Sequence, residues 1–368
     1  MLTEKKHILI VTSEFPPQPG GIGTHAYQLA KSLTKQEYNI SVLTDQRSVS
    51  GFEEVAFDAE LPFNMFRIKR YQFRYVMYFK RLYVLFRHLK GVDTIIASGK
   101  FSLWIVAFAS IFFKRQYFAV LHGSEVNFTN KLLKLSINVS LKRFTKLIAV
   151  SNYTKSLIMD IGKPIVVIPN GIDIQELQDS LSEAIELKGY PKLLTVGNVT
   201  DRKGQLNVIK HLPELLLVYP NLHYHCVGLP TEQEAFMKVA KNLNVDEFIT
   251  FHGRVSEEKL HSFLKSCDVF IMLSHITSSG DVEGFGISLL EANYFGLPCI
   301  GAKNCGIEDA ISDYLSGRLI DYNDTDALKL AINDILLNTE DYKQRAITWA
   351  ISHDWNSIVK PYISVINS

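Results

Sequence analysis

Short runs of apolar residues alternate along the whole chain with stretches whose apolar positions recur every three to four residues. That alternation predicts β-α-β units, and parallel sheets buried on both faces. In the first half, strands are predicted at His7–Thr12, Asn39–Thr44, Thr94–Ala97, Tyr117–Leu121, Leu147–Val150 and Ile165–Ile168. The second half offers Lys192–Val196, His223–Val227, Ile249–Phe251, Val269–Leu273, Pro298–Ile300 and Arg318–Ile320. Between the series lies Glu176 to Tyr190, polar and poor in strand signals, which places a boundary near residue 185. The expected fold class is therefore α/β, with two Rossmann-like parallel-sheet domains, 1–185 and 186–351. Ligands of open α/β sheets sit at the carboxyl ends of the strands, so two such sheets facing across a cleft would line it with their loops.

The densest candidate chemistry is Glu283-Gly284-Phe285-Gly286-Ile287-Ser288-Leu289-Leu290-Glu291. Glu283 and the glycines read as a loop, and Ile287 to Phe295 as a short helix stopped by Gly296 and Pro298. Backbone N–H groups at a glycine-rich helix start are unpaired and can hold phosphate oxygens. A carboxylate at each end suits a ligand with hydroxyls flanking a diphosphate, which is the layout of a nucleotide sugar. Glu291 sits among Leu289, Leu290 and Ala292, so the helix is largely buried and the charge needs a partner. Further glycine-bearing turns follow predicted strands: Gly20-Gly21-Ile22-Gly23-Thr24-His25, Leu121-His122-Gly123-Ser124-Glu125 and Pro169-Asn170-Gly171-Ile172-Asp173 in the first half. Gly197-Asn198-Val199-Thr200-Asp201-Arg202-Lys203-Gly204 and Phe251-His252-Gly253-Arg254-Val255-Ser256 follow in the second.

Taken in order, these segments resemble family 4 of the retaining glycosyltransferases, whose E-x7-E signature matches Glu283 to Glu291 and whose fold is GT-B. The resemblance extends over essentially the whole chain. It implies transfer of a sugar from a UDP- or GDP-sugar donor to a glycan acceptor, without a further cofactor and without a catalytic metal. It also implies site roles. Glu291 would bind the ribose hydroxyls and Glu283 the donor sugar, with His122 contacting that sugar. Lys203, with Arg202 and the backbone at Gly284, Phe285, Gly286 and Ile287, would hold the diphosphate. Gly21 and Gly23 would lie by the donor phosphates and the acceptor, and base-reading backbone groups would lie near Arg254 and Val255. Two positions depart from the family pattern. Asn198 stands where a phosphate-binding arginine is usual, so either Arg202 supplies that charge from another backbone position or the diphosphate is held less strongly. Glu125 replaces the usual aspartate after His122-Gly123. The family also implies that a C-terminal helix, 352–368, returns to the N-terminal domain. In the mechanism usual for such enzymes the diphosphate itself draws the acceptor proton, and the protein contributes positioning and electrostatics.

Composition narrows the alternatives. The 368 residues are 47% hydrophobic with a formal net charge of +1, enough for a large core and no announcement of a nucleic-acid partner. Cys226, Cys267, Cys299 and Cys305 form no C-x-x-C pair, which leaves reduced thiols in a cytoplasmic protein. Met1 to Lys6 runs directly into a strand, without the apolar region of a signal peptide. The longest apolar run, Phe101 to Phe113, is thirteen residues, short of the roughly twenty that span a bilayer, and reads as a core helix. Arg67 to Lys90 carries Arg67, Lys69, Arg70, Arg74, Lys80, Arg81, Arg87 and Lys90 without an acid, interleaved with aromatics. That mixture reads either as a surface for anionic lipid, suited to a lipid-linked acceptor at the inner face of a membrane, or as a core helix whose cations reach outward to water. Asp324-Thr325-Asp326 has the letters of a metal-binding D-x-D, but its place before the helix Ala327–Leu337 reads as a cap. Three other functions stay open: a nicotinamide enzyme using Asp45 although no Gly-x-Gly-x-x-Gly is present, a nucleotide-sugar epimerase, and a catalytically silent binding subunit.

Overall fold

The computed structural model describes residues 5–69, 71, 73–178 and 182–368. Met1 to Glu4, Arg70 and the side chain of Arg74, all part of the sequence reading, lie outside the described residues. The first half runs β1 (His7–Thr12), α1 (Gly21–Lys35), β2 (Asn39–Asp45), α2 (Phe52–Asp58), β3 (Asn64–Ile68), α3 (Arg74–Arg87), β4 (Thr94–Ser98) and α4 (Lys100–Ala109). It continues with β5 (Gln116–Leu121), α5 (Lys131–Leu141), β6 (Lys146–Ala149), α6 (Asn152–Ser156) and β7 (Ile165–Val167). The second half comprises α7 (Ile174–Gln178), β8 (Lys192–Val196), α8 (Gln205–Val218), β9 (His223–Val227), α9 (Gln233–Asn242), β10 (Ile249–Phe251), α10 (Glu257–Ser266) and β11 (Val269–Met272). After it come α11 (Ile287–Tyr294), β12 (Cys299–Ala302), β13 (Gly317–Ile320), α12 (Thr325–Leu337), α13 (Thr339–Ser352) and α14 (Trp355–Asn367).

Two parallel sheets result, ordered β3-β2-β1-β4-β5-β6-β7 and β10-β9-β8-β11-β12-β13. Each reverses its winding beside its first strand, as in a Rossmann fold, so the loops that leave the central strands spread apart and expose backbone at their carboxyl ends. β1 lies between β2 and β4, with Ile10 opposite Val42 and Ile96. Strands covered on both faces must be apolar on both, and β4 is buried at every position. In the first sheet α3, α4 and α5 cover one face through Leu85, Leu103, Ile105, Ile137 and Leu141, against Leu9, Ile95, Ala119 and Leu147.

The strand that the hydrophobic pattern did not announce is β3. It is an edge strand, only half-buried over most of its length, and its Arg67 is the first residue of the basic run Arg67 to Lys90. Inside the fold Arg67 pairs with Asp58 at 2.7 Å, and Arg81 pairs with Asp45 and lies 3.9 Å from the Phe101 ring centre. Asp45 is thus occupied by an arginine. Asp324 caps α12 by accepting the Ala327 N–H at 2.9 Å. The apolar run from Phe101 is helical only as far as Ala109, and of its residues Phe108, Ile111 and Phe112 are exposed rather than in the core. All four cysteines are free thiols; Cys226, Cys299 and Cys305 are buried, while Cys267 is half-buried.

The chain divides into two compact units, 1–170 with 355–368, and 171–354. The expected boundary near 185 thus stands beside an observed one at 170. The intervening segment is tied to the second unit by hydrogen bonds from Lys265 Nζ to the Ser182 carbonyl (2.6 Å) and from the Ile185 N–H to Ser266 Oγ (2.7 Å). In the first unit α14 packs on α1, where Tyr362 OH meets His25 Nε2 at 2.8 Å.

Buried neutral histidines recur in both units. On β9, His223 Nε2 lies 2.8 Å from Thr250 Oγ1, and His225 bridges the Lys188 carbonyl and His252 Nε2, each at 3.0 Å. A carbonyl only accepts, so the facing His225 nitrogen carries the proton and His252 donates to the other. Burial, reinforced by the His225 ring, holds His223 and His252 down at about 4; burial likewise lowers His25 and takes His122 to about 3. Because these values lie below that of an unfolded histidine, about 6.5, their contribution is fully present above that pH and is lost as pH falls toward the folded values. Glu125 and Glu291, whose carboxyls are raised to about 7, act in the opposite sense over this range, so the histidine contribution is read from a difference: the fall in urea midpoint from pH 7 to pH 5 should be smaller in His252→Gln than in the unaltered chain. An unchanged pH dependence in that variant would contradict this account.

Candidate active site

In the second unit the site is assembled from loops at the carboxyl ends of adjacent strands. After β8 the chain passes Gly197 and Asn198 and makes one 3-10 turn, Asp201–Lys203, before α8. Gly204 ends that turn in the left-handed region at φ +79°, and a Cβ there would lie 2.0 Å from the Leu273 carbonyl oxygen at the end of β11. Only glycine lets the turn rest on the neighbouring strand end. This close approach aims Lys203 back across Gly197, with its Cε 3.2 Å from where a Cβ on Gly197 would sit.

There Lys203 Nζ meets the Glu283 carboxylate at 2.8 Å, and Arg202 bonds the same carboxylate oxygen while its Nε lies 3.3 Å from Asp281. Burial would push the Glu283 carboxyl up. The lysine and then the arginine outweigh it and hold the group at about 2, so Glu283 is ionised throughout the neutral range. Glu283 is fixed by its backbone as well. Its carbonyl accepts the Gly306 N–H at 2.9 Å, and a Cβ on Gly306 would lie 2.0 Å from the Gly284 carbonyl oxygen. The turn after β12 therefore clamps the Glu283-Gly284 backbone by main-chain contact, with Phe285 buried beneath. Gly286, at φ +87°, opens α11, and its carbonyl accepts the Leu289 N–H at 3.0 Å, so the N–H groups of Ile287 and Ser288, ahead of that bond, are the ones left without intrahelical acceptors.

Glu291, on the second turn of α11, is in the opposite electrostatic state. Burial first, and then the Glu257 carboxylate at the start of α10, raise its carboxyl to about 7, with Lys203 pulling the other way. Among the described residues it has no hydrogen-bond or ion-pair partner. Two hydroxyls on these same loops, Ser274 Oγ and Ser288 Oγ, are also buried without partners among the described residues. The cradle thus combines cations, free helix amides and unsatisfied oxygens, a set that fits an anion carrying hydroxyls.

The remaining residues singled out from the sequence are placed as follows. Asn198 has an exposed side chain and contributes its carbonyl, accepting from Gln205 Nε2 at 3.1 Å. Arg254 and Val255 lie in the loop from β10 to α10, joined to the β9 loop by the Gly228 N–H donating to the Gly253 carbonyl at 2.9 Å; Arg254 is exposed. Gly21, Gly23 and His122 belong to the first unit. Helix α1 starts at Gly21, within the glycine-bearing turn, and Gly23 rests on the Phe15 backbone. His25, one turn on, packs edge to face with His122 at 5.0 Å, and His122 Nε2 lies 2.8 Å from Ser98 Oγ. Glu125 folds back so that one carboxylate oxygen accepts the His122 N–H, while the other is buried without a partner among the described residues. Burial raises this carboxyl to about 7, despite the N–H groups of His122 and its own backbone.

Sequence reasoning did not single out Asp281, Glu257 or Gly306. Asp281 carried a signal, a second acid two residues before Glu283. The other two carried none, because Glu257 meets Glu291 only when α10 and α11 pack together, and Gly306 matters only through a backbone contact with a distant loop. Among the described residues no group of three or more His, Cys, Asp or Glu side chains could hold a metal ion.

Two family models match the chain in tandem: Glycosyltransferase Family 4 over residues 19–176 and Glycosyl transferases group 1 over residues 178–349. A GDP-mannose-dependent alpha-(1-6)-phosphatidylinositol monomannoside mannosyltransferase of Mycolicibacterium smegmatis is 26% identical, with 89% of each chain covered. Among solved structures, a glycosyltransferase from Rickettsia africae superposes with a TM-score of 0.78 at 19% identity, over 99% of this chain and 98% of the other. The sucrose-phosphate synthase of Thermosynechococcus elongatus does so with a TM-score of 0.79 at 16% identity, also over 99% and 98%.

The contact of Gly204 with Leu273 gives a direct test of this architecture. Gly204→Ala should lower stability by at least roughly 1–3 kcal/mol from backbone strain alone, read from urea denaturation. Gln205→Ala, on the next residue, tests a hydrogen bond and should cost about 1 kcal/mol.

Proposed function

Because the chain belongs to family 4 of the glycosyltransferases and has their GT-B fold, we propose that it is a retaining, metal-independent enzyme that transfers a sugar from a nucleoside diphosphate sugar to a lipid-linked glycan acceptor. It works in the cytoplasm at the inner face of a membrane, in the synthesis of a cell-surface polysaccharide or glycolipid. GDP-mannose is the first donor to test, since curated relatives that match along nearly the full length are GDP-mannose-dependent by name. The observation that carries the donor site is the second unit's cradle: Lys203 and Arg202 paired with Glu283 just before the start of α11, Ser274 Oγ and Ser288 Oγ buried without partners, and the Glu291 carboxyl without a side-chain partner among the described residues.

In this reading Lys203 and the α11 amides take the diphosphate, and Arg202, already beside Glu283, supplies the second cation that Asn198 does not. Glu291 accepts hydrogen bonds from the ribose diol, Glu283 contacts the sugar, and the Arg254-Val255 backbone reads the base. The anomeric C–O bond to the diphosphate breaks as the bond to the acceptor oxygen forms on the same face. The acceptor proton passes to a phosphate oxygen of the leaving group. Lys203 stabilises the charge that accumulates there.

Titration calorimetry with GDP-mannose, GDP-glucose, UDP-glucose and UDP-N-acetylglucosamine tests the donor site, and failure of all four to bind would remove it. With the donor identified, Lys203→Ala and Glu291→Ala should each abolish transfer to a membrane-fraction acceptor while circular dichroism remains native.

The elevated Glu291 carboxyl adds a pH signature. Binding the diol favours the carboxylate, so the empty site must give up a proton below about 7. Affinity for the nucleotide sugar should therefore be level above that pH and fall by up to about tenfold per pH unit below it. Glu291→Gln should bind more weakly and show a flat profile. A nucleotide sugar is the right probe, because the terminal phosphate of a free nucleoside diphosphate titrates near the same range, at about 6.

A further inference from the structure

The first unit concentrates the positive charge of the molecule. From Arg67 to Lys146 the sequence holds sixteen Lys and Arg against two acids, Asp93 and Glu125, although the whole chain is at +1. Glu125 is buried, so it does little to neutralise the surface. The exposed side chains Lys80, Lys90, Lys114, Arg115, Lys131 and Lys134 have no acidic partner among the described residues. In contrast, Arg67 and Arg81 turn inward to Asp58 and Asp45. The basic pattern is thus divided, and only its outward part is open to a partner.

The same helices display aliphatic and aromatic side chains that a water-facing surface does not need. On α5, Leu132, Leu135 and Val139 recur at three- and four-residue spacing and are 77%, 60% and 58% exposed. The opposite side of this helix, Ile137 and Leu141, is buried in the core, so the outward stripe is not an accident of a loosely packed helix. At the end of α4, Phe112 is 61% exposed, and on α3, Phe79 is 75% exposed. These stretches adjoin one another. Phe86 of α3 stacks on Phe108 and meets Phe112 edge-on, while Trp104 of α4 donates to Ser136 of α5 at 3.2 Å. The result is an apolar band across α3, α4 and α5, rimmed by unpaired cations.

We propose that this three-helix face docks on an anionic lipid bilayer, with the α5 leucine stripe and the α4 end entering the interface and the surrounding lysines contacting headgroup phosphates. The cations alone would suit any polyanion. Outward Leu132, Leu135 and Val139 gain nothing from a phosphate-rich nucleic acid, whereas burial in the acyl boundary removes their area from water. Charge complementarity with anionic headgroups completes the match. The inference deepens the lipid-linked acceptor reading, yet it is tested without sugar chemistry, so either can fail alone.

Co-sedimentation with phosphatidylcholine vesicles, with and without phosphatidylglycerol, tests it. Binding is expected to the phosphatidylglycerol vesicles, weakened by salt, and absent from phosphatidylcholine alone. Burying each leucine is worth about a factor of ten in partition, so Leu132→Glu/Leu135→Glu should cut binding by at least about tenfold. Lys131→Glu/Lys134→Glu should weaken it as well, and Leu330→Glu, an exposed leucine of the second unit, should leave it unchanged. Thermal melting reports that each variant is folded. Absence of vesicle binding, equal binding to neutral vesicles, or full binding by the folded α5 leucine variant would overturn the proposal. So would an RNA mobility shift abolished by the lysine pair and untouched by the leucine pair.

Discussion

The second unit's site turns on a buried carboxylate kept ionised by two cations. Glu283 is almost wholly enclosed, and an unpaired charge there would cost several kcal/mol; Lys203 and Arg202 remove that cost and are in turn fixed by it. The lysine can reach only because Gly197 offers no side chain in its path and Gly204 allows the preceding turn to sit on β11. The glutamate stays in place because Gly306 clamps its backbone. Side-chain charge and main-chain contact thus fix the same residue, one at its carboxylate and the other at its backbone.

Eight residues on, Glu291 shows how environment separates two chemically identical groups. One carboxyl lies at about 2 and the other at about 7, because both cations outweigh burial at the first, whereas at the second burial, and then the Glu257 carboxylate, prevails. Burial also raises the Glu125 carboxyl in the first unit, where one oxygen closes the turn on His122. The longer glutamate side chain at this position is accommodated by that backward fold onto the backbone.

Much of the fold was legible because a parallel sheet needs strands apolar on both faces, and such runs stand out from the helices between them. β3 escaped for the converse reason: at a sheet edge, half-buried and carrying Arg67, it has no such run. The glutamate pair was legible from its spacing around Gly284 and Gly286, since a helix start and its second turn are fixed by local geometry. Its charge states were not, because they depend on Lys203 and Glu257, distant in sequence. The apolar segment from Phe101 shows the limit of composition. Hydrophobicity marked the helix, but only the packing of α3 and α5 around it reveals that Phe108, Ile111 and Phe112 face outward.

Helix α14 follows the entire second unit in sequence, yet Tyr362 and Trp355 are buried in the first, against His25 of α1. During translation the earlier unit would therefore emerge with one flank of α1 uncovered, and that flank would stay wet until the later unit had left the ribosome. The order of synthesis and the order of completion are reversed, so the first half of the molecule to be made is the last to be sealed.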